Sequence, residues 1–504
     1  MSSSNFSVPT RQSPKGIIVM FAFQLYALIR KTWVFLSIVI FSTLKKQDSG
    51  AAILKLFVFV GIVLLLLLII SVLKYRNFKF SILNDYFVLH QGILKKEETS
   101  ISKSKIQNVY IKQNLIQQII DVVSLSVESA GDKKTEIEIK ALDKSSAETL
   151  KALLISGTRQ ISTENEEAQE VLSEFKNKRT FFRVSVKNLL LEGVSENHLK
   201  SMAFIFAFFL GLYGNFKDVL GDIDLEAYEE SYYQFGESQM LQFLIFNVAL
   251  AVFLLLVAFL FSLVKTVLIN FDLKVTENDK GLEISKGLFN KVSLGLVTSR
   301  IQTITLSTNR FKRALGLHQM FFTQAMVNKK QLKNFSIIGL SKSESANLVE
   351  KFHSNILNGI ERHKPAPYFK RVKTLQLLLF VLLANSIVLF QLSYLYLLWN
   401  IPLLIFIFLV VHQSYKKAYY SIDEKYLVIG SGGLIDINTD MAEIHKLQGV
   451  KLKQSIFQKH RGIASVKIYT ASKALTIPFI KVNEAQHIVD FLLYKVESED
   501  RHWM

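Results

Sequence analysis

The stretch KIQNVYIKQNLI, residues 105–116, occurs in three related copies and decides how this chain is organised. It returns as RIQTITLSTNRF at residues 300–311 and as KLQGVKLKQSIF at residues 446–457. A glycine stands fourteen residues before the first aliphatic residue of each copy: Gly92 before Ile106, Gly287 before Ile301 and Gly433 before Leu447. The common register spans about forty residues, which indicates an internal repeat rather than a chance match.

The copies differ at two places. A glycine follows the aliphatic residue by fifteen positions in the second and third copies, at Gly316 and Gly462, where the first copy has Asp121. The second glutamine of the first and third copies is replaced by Thr308 in the middle copy. Ligand roles therefore cannot be transferred from one copy to the next.

Composition places the chain among membrane proteins. Half of its 504 residues are hydrophobic, 39 are phenylalanine and only 6 are proline, a combination that is unusual for soluble domains. There is no cysteine, which excludes disulfides, thiolate metal sites and cysteine nucleophiles. The net charge of +18 is concentrated beside the apolar runs, which favours topogenic basic flanks over nucleic-acid binding.

The apolar runs predict three transmembrane hairpins, each followed by one repeat. In the first hairpin, Arg30 and Lys31 interrupt the apolar run, so we expect an interfacial helix over residues 17–30 and a short span over 31–46. One span over residues 17–44 is the alternative. A full span over 56–73 follows.

After each hairpin, alternating strands and a final amphipathic helix predict a small module. In the first module we expect two strands and a glycine bend before the motif, and two more strands after it. The third hairpin contains no charged residue, and its turn is expected near Asn400 and Pro402. The predicted domains are residues 1–73, interfacial helix and first hairpin; 74–162, first module; 163–200, linker and amphipathic segment; 201–264, second hairpin; 265–357, second module; 358–373, basic linker; 374–415, third hairpin; and 416–504, third module.

Basic residues flank the hairpins where they meet the modules, for example Lys416 and Lys417, whereas residues 218–237 form an acidic, tyrosine-rich loop on the other side. The positive-inside rule then predicts a multi-pass protein of the cell (inner) membrane with both termini and all modules in the cytoplasm. Lys45 and Lys46 on the outer turn are an exception to this pattern.

A strand pair with a Gly-aliphatic bend, then Lys/Arg-Ile/Leu-Gln, a glycine-led strand and a terminal helix resemble the bacterial PH-like domain (bacterial PH domain type 2, formerly a domain of unknown function). The phrase LLLEGVSEN, residues 189–197, is similar to a segment of multi-pass members of that family. The resemblance implies an α+β membrane protein in which transmembrane α-helical hairpins alternate with three small PH-like β-barrel domains, each capped by a C-terminal helix. It also implies no catalysis, a link to envelope stress and antimicrobial-peptide tolerance, and a smaller PH-like-domain membrane protein as partner.

The recurring residues are the only candidates for a site, and a structural role is favoured over ligand binding for them. An amide side chain can satisfy two backbone groups at a strand edge or turn, or it can contact a head group or a neighbouring module. These candidates are Gly92, Ile106, Gln107, Gly287, Ile301, Gln302, Gly433, Leu447 and Gln448.

Other chemistry finds little support. GSGGL, residues 430–434, lacks the Lys-Ser/Thr tail and helix of a phosphate loop and is better explained as a bend. The ten histidines show no paired-ligand spacing, and no G-x-S-x-G elbow is present, so we expect no metal, no cofactor and no enzyme.

The sequence thus predicts a non-enzymatic membrane scaffold. Its expected partners are membrane lipids, with anionic lipid of the inner leaflet among them, and either the smaller PH-like protein or a second copy of itself, but not nucleic acid. The alternative is a component of a peptide or lipid transporter. Apart from Arg30 and Lys31, the spans offer only amides such as Asn247 and Asn385, which disfavours coupled ion transport.

Overall fold

The computed structural model describes residues 6–44, 49–129, 136–155, 179–196, 204–205, 207, 237–278, 281–324, 335–353, 356, 361–391 and 400–498. The predicted span over residues 201–216 and the acidic loop over residues 218–236 lie almost entirely outside this part of the chain.

The described helices are α1 Gly16–Leu44, α2 Ser49–Asn77, α3 Leu115–Ile119, α4 Lys144–Ile155, α5 Val186–Val194, α6 Glu237–Asn270, α7 Arg310–Ala314, α8 Lys342–Phe352, α9 Tyr368–Gln391, α10 Asn400–Lys417, α11 Ile456–Lys459 and α12 Val482–Ser498. The strands are β1 Thr10–Arg11, β2 Lys79–Leu83, β3 Tyr86–Gln91, β4 Glu97–Ser102, β5 Ile106–Gln113, β6 Val123–Ser129, β7 Glu136–Leu142, β8 Arg179–Arg183, β9 Lys274–Asn278, β10 Gly281–Lys286, β11 Lys291–Val297, β12 Ile301–Asn309, β13 His318–Gln324, β14 Ser336–Leu340, β15 Tyr419–Ile422, β16 Tyr426–Gly432, β17 Asp436–Glu443, β18 Leu447–Lys453, β19 Ile463–Thr470 and β20 Ala474–Lys481.

Each module consists of two three-stranded meanders joined by one 3-10 turn. In module 1, β2–β4 form the first meander and β5–β7 the second. Three strands, not the expected two, precede the motif of module 1, because Asn84 and Asp85 both adopt positive φ (45° and 64°) and turn the chain in two residues. The short helix α3 between β5 and β6 was also not predicted.

The two meanders of a module share one hydrophobic core. In module 1, Phe80 and Phe87 from the first meander pack with Leu125 and Ile139 from the second, and Leu150 of α4 covers them. Residues of module 3 form an equivalent cluster closed by α12. The expected C-terminal helix is therefore part of each core.

Module 2 has the largest core, which extends into its neighbours. It includes Tyr110 of module 1 and Met441 of module 3. Closure of the predicted PH-like β-barrels is not shown within the described residues, and the strand ladders continue from one module to the next. β5 pairs with β11, and β12 pairs with β17, so that two sheets of seven and six strands run across the module boundaries.

The hairpin helices differ in one respect from expectation. Residues 17–44 form one uninterrupted helix, α1, and Arg30 and Lys31 cause no break, so the interpretation as two separate elements is wrong. Two described helices are long and apolar enough to cross a membrane, over Leu54–Asn77 and Val252–Asn270.

In the third hairpin, the residues near which the turn was expected belong to the second helix. Asn400 is the first residue of α10, and Pro402 lies in the first turn, where its missing N–H has no helical acceptor. Asn385 of α9 donates a hydrogen bond to Asn400 at 3.0 Å.

Each hairpin leaves and re-enters the same edge of its module. The segment before the hairpin pairs with the first strand after it: β1 with β2, β8 with β9, and His363 with Tyr420. This pairing fixes the base of each hairpin to a rigid sheet, and it was not predicted from the sequence.

Candidate functional site

The two junctions between modules have the same register. At the first junction Tyr110 lies opposite Leu294, and at the second Thr305 lies opposite Asp440. In both pairs the first residue is four positions after the motif's aliphatic residue, and the second is seven positions after the bend glycine. The repeat in sequence is therefore also a repeat in strand pairing between modules.

The basic residue that begins the motif bonds each module to the one before it. Arg300 of module 2 donates to the carbonyl oxygen of Ile106 in module 1 at 3.3 Å. Lys446 of module 3 donates to the carbonyl oxygen of Ile301 in module 2 at 3.0 Å. Lys105, the equivalent residue of module 1, is exposed.

The recurring aliphatic residues are core residues. Ile106, Ile301 and Leu447 are all buried. The residue that follows each of them is the recurring glutamine, and in all three modules the strand register shifts at that position, which marks a β-bulge.

The three glutamines are not brought together. Gln302 is buried, and its amide has no hydrogen-bond partner among the described residues, whereas Gln448 is exposed. For Gln107 the structure places only the backbone. Their shared feature is the bulge.

The two departures from the repeat preserve the same backbone. Gln113 and Gln454 donate to the carbonyl oxygens of Val122 and Ile463, and Thr308 makes the equivalent bond to Leu317 at 3.0 Å. Asp121 adopts φ of +54°, close to the +71° of Gly316 and the +62° of Gly462. Aspartate tolerates this left-handed conformation better than most residues, so the turn is conserved in all three modules.

The bend glycines lie against the ends of the hairpin helices. The side chain of Asn77 in α2 donates to Gly92 O at 3.0 Å, the N–H of Gly287 donates to Phe271 O at 2.9 Å, and Lys417 donates to Gly433 O at 2.8 Å. The second strand of each module runs from a far turn back to this bend. The bends of all three modules therefore lie at the end of the module that faces its hairpin.

An apolar side chain projects from each bend. Leu94, Phe289 and Ile435 occupy equivalent positions and are 101%, 48% and 41% exposed. The short helix after each motif adds a second exposed residue, namely Ile116, Phe311 and Phe457. Gln118 of α3 donates to Leu288 O at 2.8 Å, which places the short helix of one module beside the bend of the next. We call these residues together the apolar tips.

A buried ion pair holds the LLLEGVSEN segment against module 2. Glu192 of α5 has no exposed surface and accepts hydrogen bonds from Lys312 and Gln319. Burial raises the pKa of Glu192, and the charge of Lys312 opposes that rise.

The partners of Glu192 are residues that differ between module 2 and the other two modules. In modules 1 and 3 the equivalent positions hold a glutamine–serine pair, Gln117 with Ser124 and Gln458 with Ser465. In module 2 the same two positions are Lys312 and Gln319. Sequence reasoning missed these residues, although the simultaneous change at both positions of one repeat was a visible signal.

A second charged cluster lies at the junction of modules 2 and 3. Glu443 contacts His353 at 3.1 Å, His445 at 3.2 Å and Lys446 at 3.0 Å. Burial alone would raise the pKa of Glu443, but the adjacent imidazole of His353 and the charge of Lys446 lower it to about 2. The cluster therefore fixes an ionised carboxylate at this junction.

The remaining polar groups do not assemble a reaction centre within the described residues. No group of three His, Asp or Glu with metal-ligand spacing occurs there. Burial lowers the pKa of Lys286 to about 8, and its ammonium group donates hydrogen bonds to the carbonyl oxygen and the hydroxyl of Ser336. GSGGL forms the end of β16 and the bend, as a turn would.

A cavity of about 820 Å³ lies on module 3 beside the base of the third hairpin. Tyr420 on its wall donates to Glu484, and Lys481 also lines it. Because the cavity is lined by both a basic and an acidic side chain, its charges do not indicate whether a ligand would be anionic or cationic.

Comparison with known proteins gives the same division into three units. The bacterial PH domain matches residues 36–158, 223–355 and 375–496. The chain is also 23% identical over 450 residues to the UPF0699 transmembrane protein YdbT of Bacillus subtilis (strain 168), across 86% of this chain and 89% of that protein. No solved structure matches.

Proposed function

Because the chain belongs to the bacterial PH domain family, we propose that this membrane protein is a non-enzymatic scaffold whose three modules form one row along the membrane surface. The scaffold binds lipid through the apolar tips and binds protein through strand edges. The observation that carries this proposal is the position of the apolar tips beside the ends of the hairpin helices.

Lipid contact follows from the chemistry of the tips. An exposed leucine or phenylalanine next to the end of a membrane helix gains free energy by entering the head-group region. Lys95 and Lys96 directly follow Leu94, and Lys291 lies two residues after Phe289; all three lysines are exposed. Each basic residue near an anionic leaflet adds about 1 kcal/mol, so the tips favour anionic lipid.

The proposed orientation is multi-pass in the cell membrane, with the modules in the cytoplasm. Basic residues support it at the hairpin bases, where Lys417 binds the bend of module 3 and Lys373 and Lys370 lie in the first turns of α9. Anionic lipid of the inner leaflet would then be the lipid that the tips meet.

A scaffold of this form suits the envelope-stress and antimicrobial-peptide tolerance that the family resemblance implies. The row of modules offers repeated strand edges to a smaller PH-like-domain protein or to a second copy. This role needs no catalysis, cofactor or transported substrate.

Single-cysteine labelling in intact cells tests the proposal, since the natural chain contains no cysteine. Ser231→Cys lies in the acidic loop, and Glu424→Cys lies on an exposed turn of module 3. We expect a membrane-impermeant thiol reagent to label the first and not the second. Labelling at position 424 and not at position 231 would overturn the proposal of an inner-leaflet scaffold. Separately, substrate flux across vesicles that contain the purified protein would show transport and overturn the scaffold proposal.

A further inference from the structure

The row of modules ends in two free strand edges. β4 is the last strand of its four-stranded sheet, and β18 is the first strand of its three-stranded sheet; neither has a partner on its outer side among the described residues. β4 is the equivalent of β11 and β17, and β18 is the equivalent of β5 and β12. At both internal junctions, a strand equivalent to β18 pairs with a strand equivalent to β4. The two free edges are therefore the two kinds of strand that pair with each other within the chain.

The common register of those junctions defines how the free edges would meet. If β18 meets β4 as β5 meets β11, Lys453 lies opposite Glu97, and Lys451 lies opposite Thr99. Glu97, Lys451 and Lys453 are all exposed. Within its own chain Glu97 contacts only the neighbouring Lys95, at 3.7 Å, among described ion pairs. Opposite charges directly across an antiparallel pair are stabilising.

The motif's basic residue gives an independent argument. Arg300 and Lys446 each donate to a backbone carbonyl of the preceding module. Lys105 holds the same position in module 1, which no module precedes in the described chain, and it is exposed. In the paired arrangement Lys105 would reach the carbonyl oxygen of Leu447.

Exposure of apolar side chains at the two ends agrees with an uncovered interface. Leu94 is 101% exposed, against 48% for Phe289, which lies beside α3 of the preceding module. At the other end Ile456 is 85% exposed, whereas Leu115, its equivalent at the first junction, is 44% exposed. The excess apolar surface therefore occurs where no described module lies alongside.

We propose that a second copy of this chain covers these edges, so that β18 of one copy pairs with β4 of the next in the register that places Lys453 opposite Glu97. The contact is head-to-tail, and it continues the row of modules from one molecule to another. It also keeps all bends on one side, so that every hairpin enters the same membrane.

The charges favour this pairing of the edges over the others. A full-length antiparallel pair of two β4 strands would place Glu97 opposite Ser102, and a pair of two β18 strands would place Lys453 opposite Leu447. Only the pair of β18 with β4 places a lysine opposite a glutamate, which stabilises an antiparallel strand pair.

Disulfide trapping between two differently tagged copies tests the register. One copy carries Glu97→Cys and the other Lys453→Cys, both in membranes under mild oxidation. Directly opposite residues in an antiparallel pair have Cα atoms about 4.5–5.5 Å apart, which is within disulfide reach. As an internal control, Ser307→Cys with Asn438→Cys should form an intramolecular disulfide, because these residues already pair in the same register.

The expected result is a covalent dimer that is at least several-fold more abundant than the one from Glu97→Cys with Lys451→Cys, which is two residues out of register. The proposal is overturned if the internal control forms while the two intermolecular pairs give equal yields or none. Equal trapping of two Glu97→Cys copies would overturn it as well.

Charge exchange provides a second readout that does not depend on disulfide geometry. Glu97→Lys in both of two differently tagged copies should reduce their co-purification several-fold, and adding Lys453→Glu to both copies should restore it. Loss without restoration counts against the proposal, as does capture of a different PH-module protein in place of the second copy. This inference extends the proposed scaffold by naming its partner, and its failure would leave the membrane contact of the apolar tips unaffected.

Discussion

Lys312 donates a hydrogen bond to Glu192, a fully buried carboxylate that lies 120 residues earlier in the chain. This contact attaches the helix before the second hairpin to the module after it. Asn188 of the same helix donates to Gly339 O at 2.9 Å, and Asn309 donates to Ser195 O at 2.9 Å. The LLLEGVSEN segment is therefore a structural part of module 2.

Lys312→Met should destabilise module 2 by about 3–5 kcal/mol, because it leaves Glu192 buried and without its counter-charge. The double variant Lys312→Met/Glu192→Leu should recover most of the loss, since two apolar groups replace the pair. Chemical unfolding of the full chain in detergent measures both. A single variant as stable as the natural protein would contradict the role of this pair.

Glu443 should make the junction of modules 2 and 3 sensitive to acid. Its folded pKa of about 2 lies below the ordinary value of 4.5, so the folded state binds the proton less readily than the unfolded state. The stabilisation, on the order of 3 kcal/mol at 1.4 kcal/mol per pKa unit, is present above pH 4.5 and is lost as pH falls towards 2.

Thermal unfolding of Glu443→Gln measured between pH 2 and 7 checks this dependence. The variant should be less stable than the natural protein at pH 7, and the difference should shrink as the pH falls. A difference that stays constant across this range would show that Glu443 does not carry the effect.

The bend glycines should differ in their tolerance of alanine. Gly287 has φ of +110°, and an added Cβ would collide with the carbonyl oxygen of Asn290. Gly287→Ala should therefore cost at least about 1–3 kcal/mol. Gly433, at the same repeat position, lacks positive φ and faces open space, so Gly433→Ala should be neutral or slightly stabilising. Equal effects of the two substitutions on the melting temperature would refute this assignment.

The basic residue that begins the motif should contribute to the stability of the single chain only where another module precedes it in that chain. Lys446→Met removes bonds to Ile301 O and Glu443 and leaves a buried carboxylate short of one partner, so we expect a loss of about 3 kcal/mol or more. Lys105→Met should change the stability of the dispersed single chain by less than about 0.5 kcal/mol, as for exposed sites. Chemical unfolding of each variant, measured on dilute protein dispersed in detergent, compares the two losses of stability. Similar losses for the two variants would contradict the assignment.

The sequence predicted the repeat, its bends and its core positions because these follow from spacing and alternation along one copy. It did not predict the pairing of β5 with β11, because these strands belong to different modules. Their pairing depends on how the modules pack together, which the residue pattern within one copy does not reveal. Asp121 looked like a departure from the repeat, although it adopts the same backbone conformation as Gly316. The continuous α1 was only the alternative prediction, because Arg30 and Lys31 interrupt the apolar run without interrupting the helix.

The contact of the apolar tips with lipid is the central claim, and a pair of fluorophore positions tests it most directly. Ile435→Cys lies at the bend of module 3, and Glu424→Cys lies at the other end of β16, about 23 Å away at 3.3 Å per residue. Each single cysteine would carry an environment-sensitive fluorophore in vesicles that contain lipids with quenchers at known depths. We predict that a shallow acyl-chain quencher reduces the emission at position 435 and leaves position 424 unchanged. Equal quenching at both positions would contradict a row of modules that lies against the membrane. So would quenching of position 435 by a water-soluble agent but by none of the lipid quenchers.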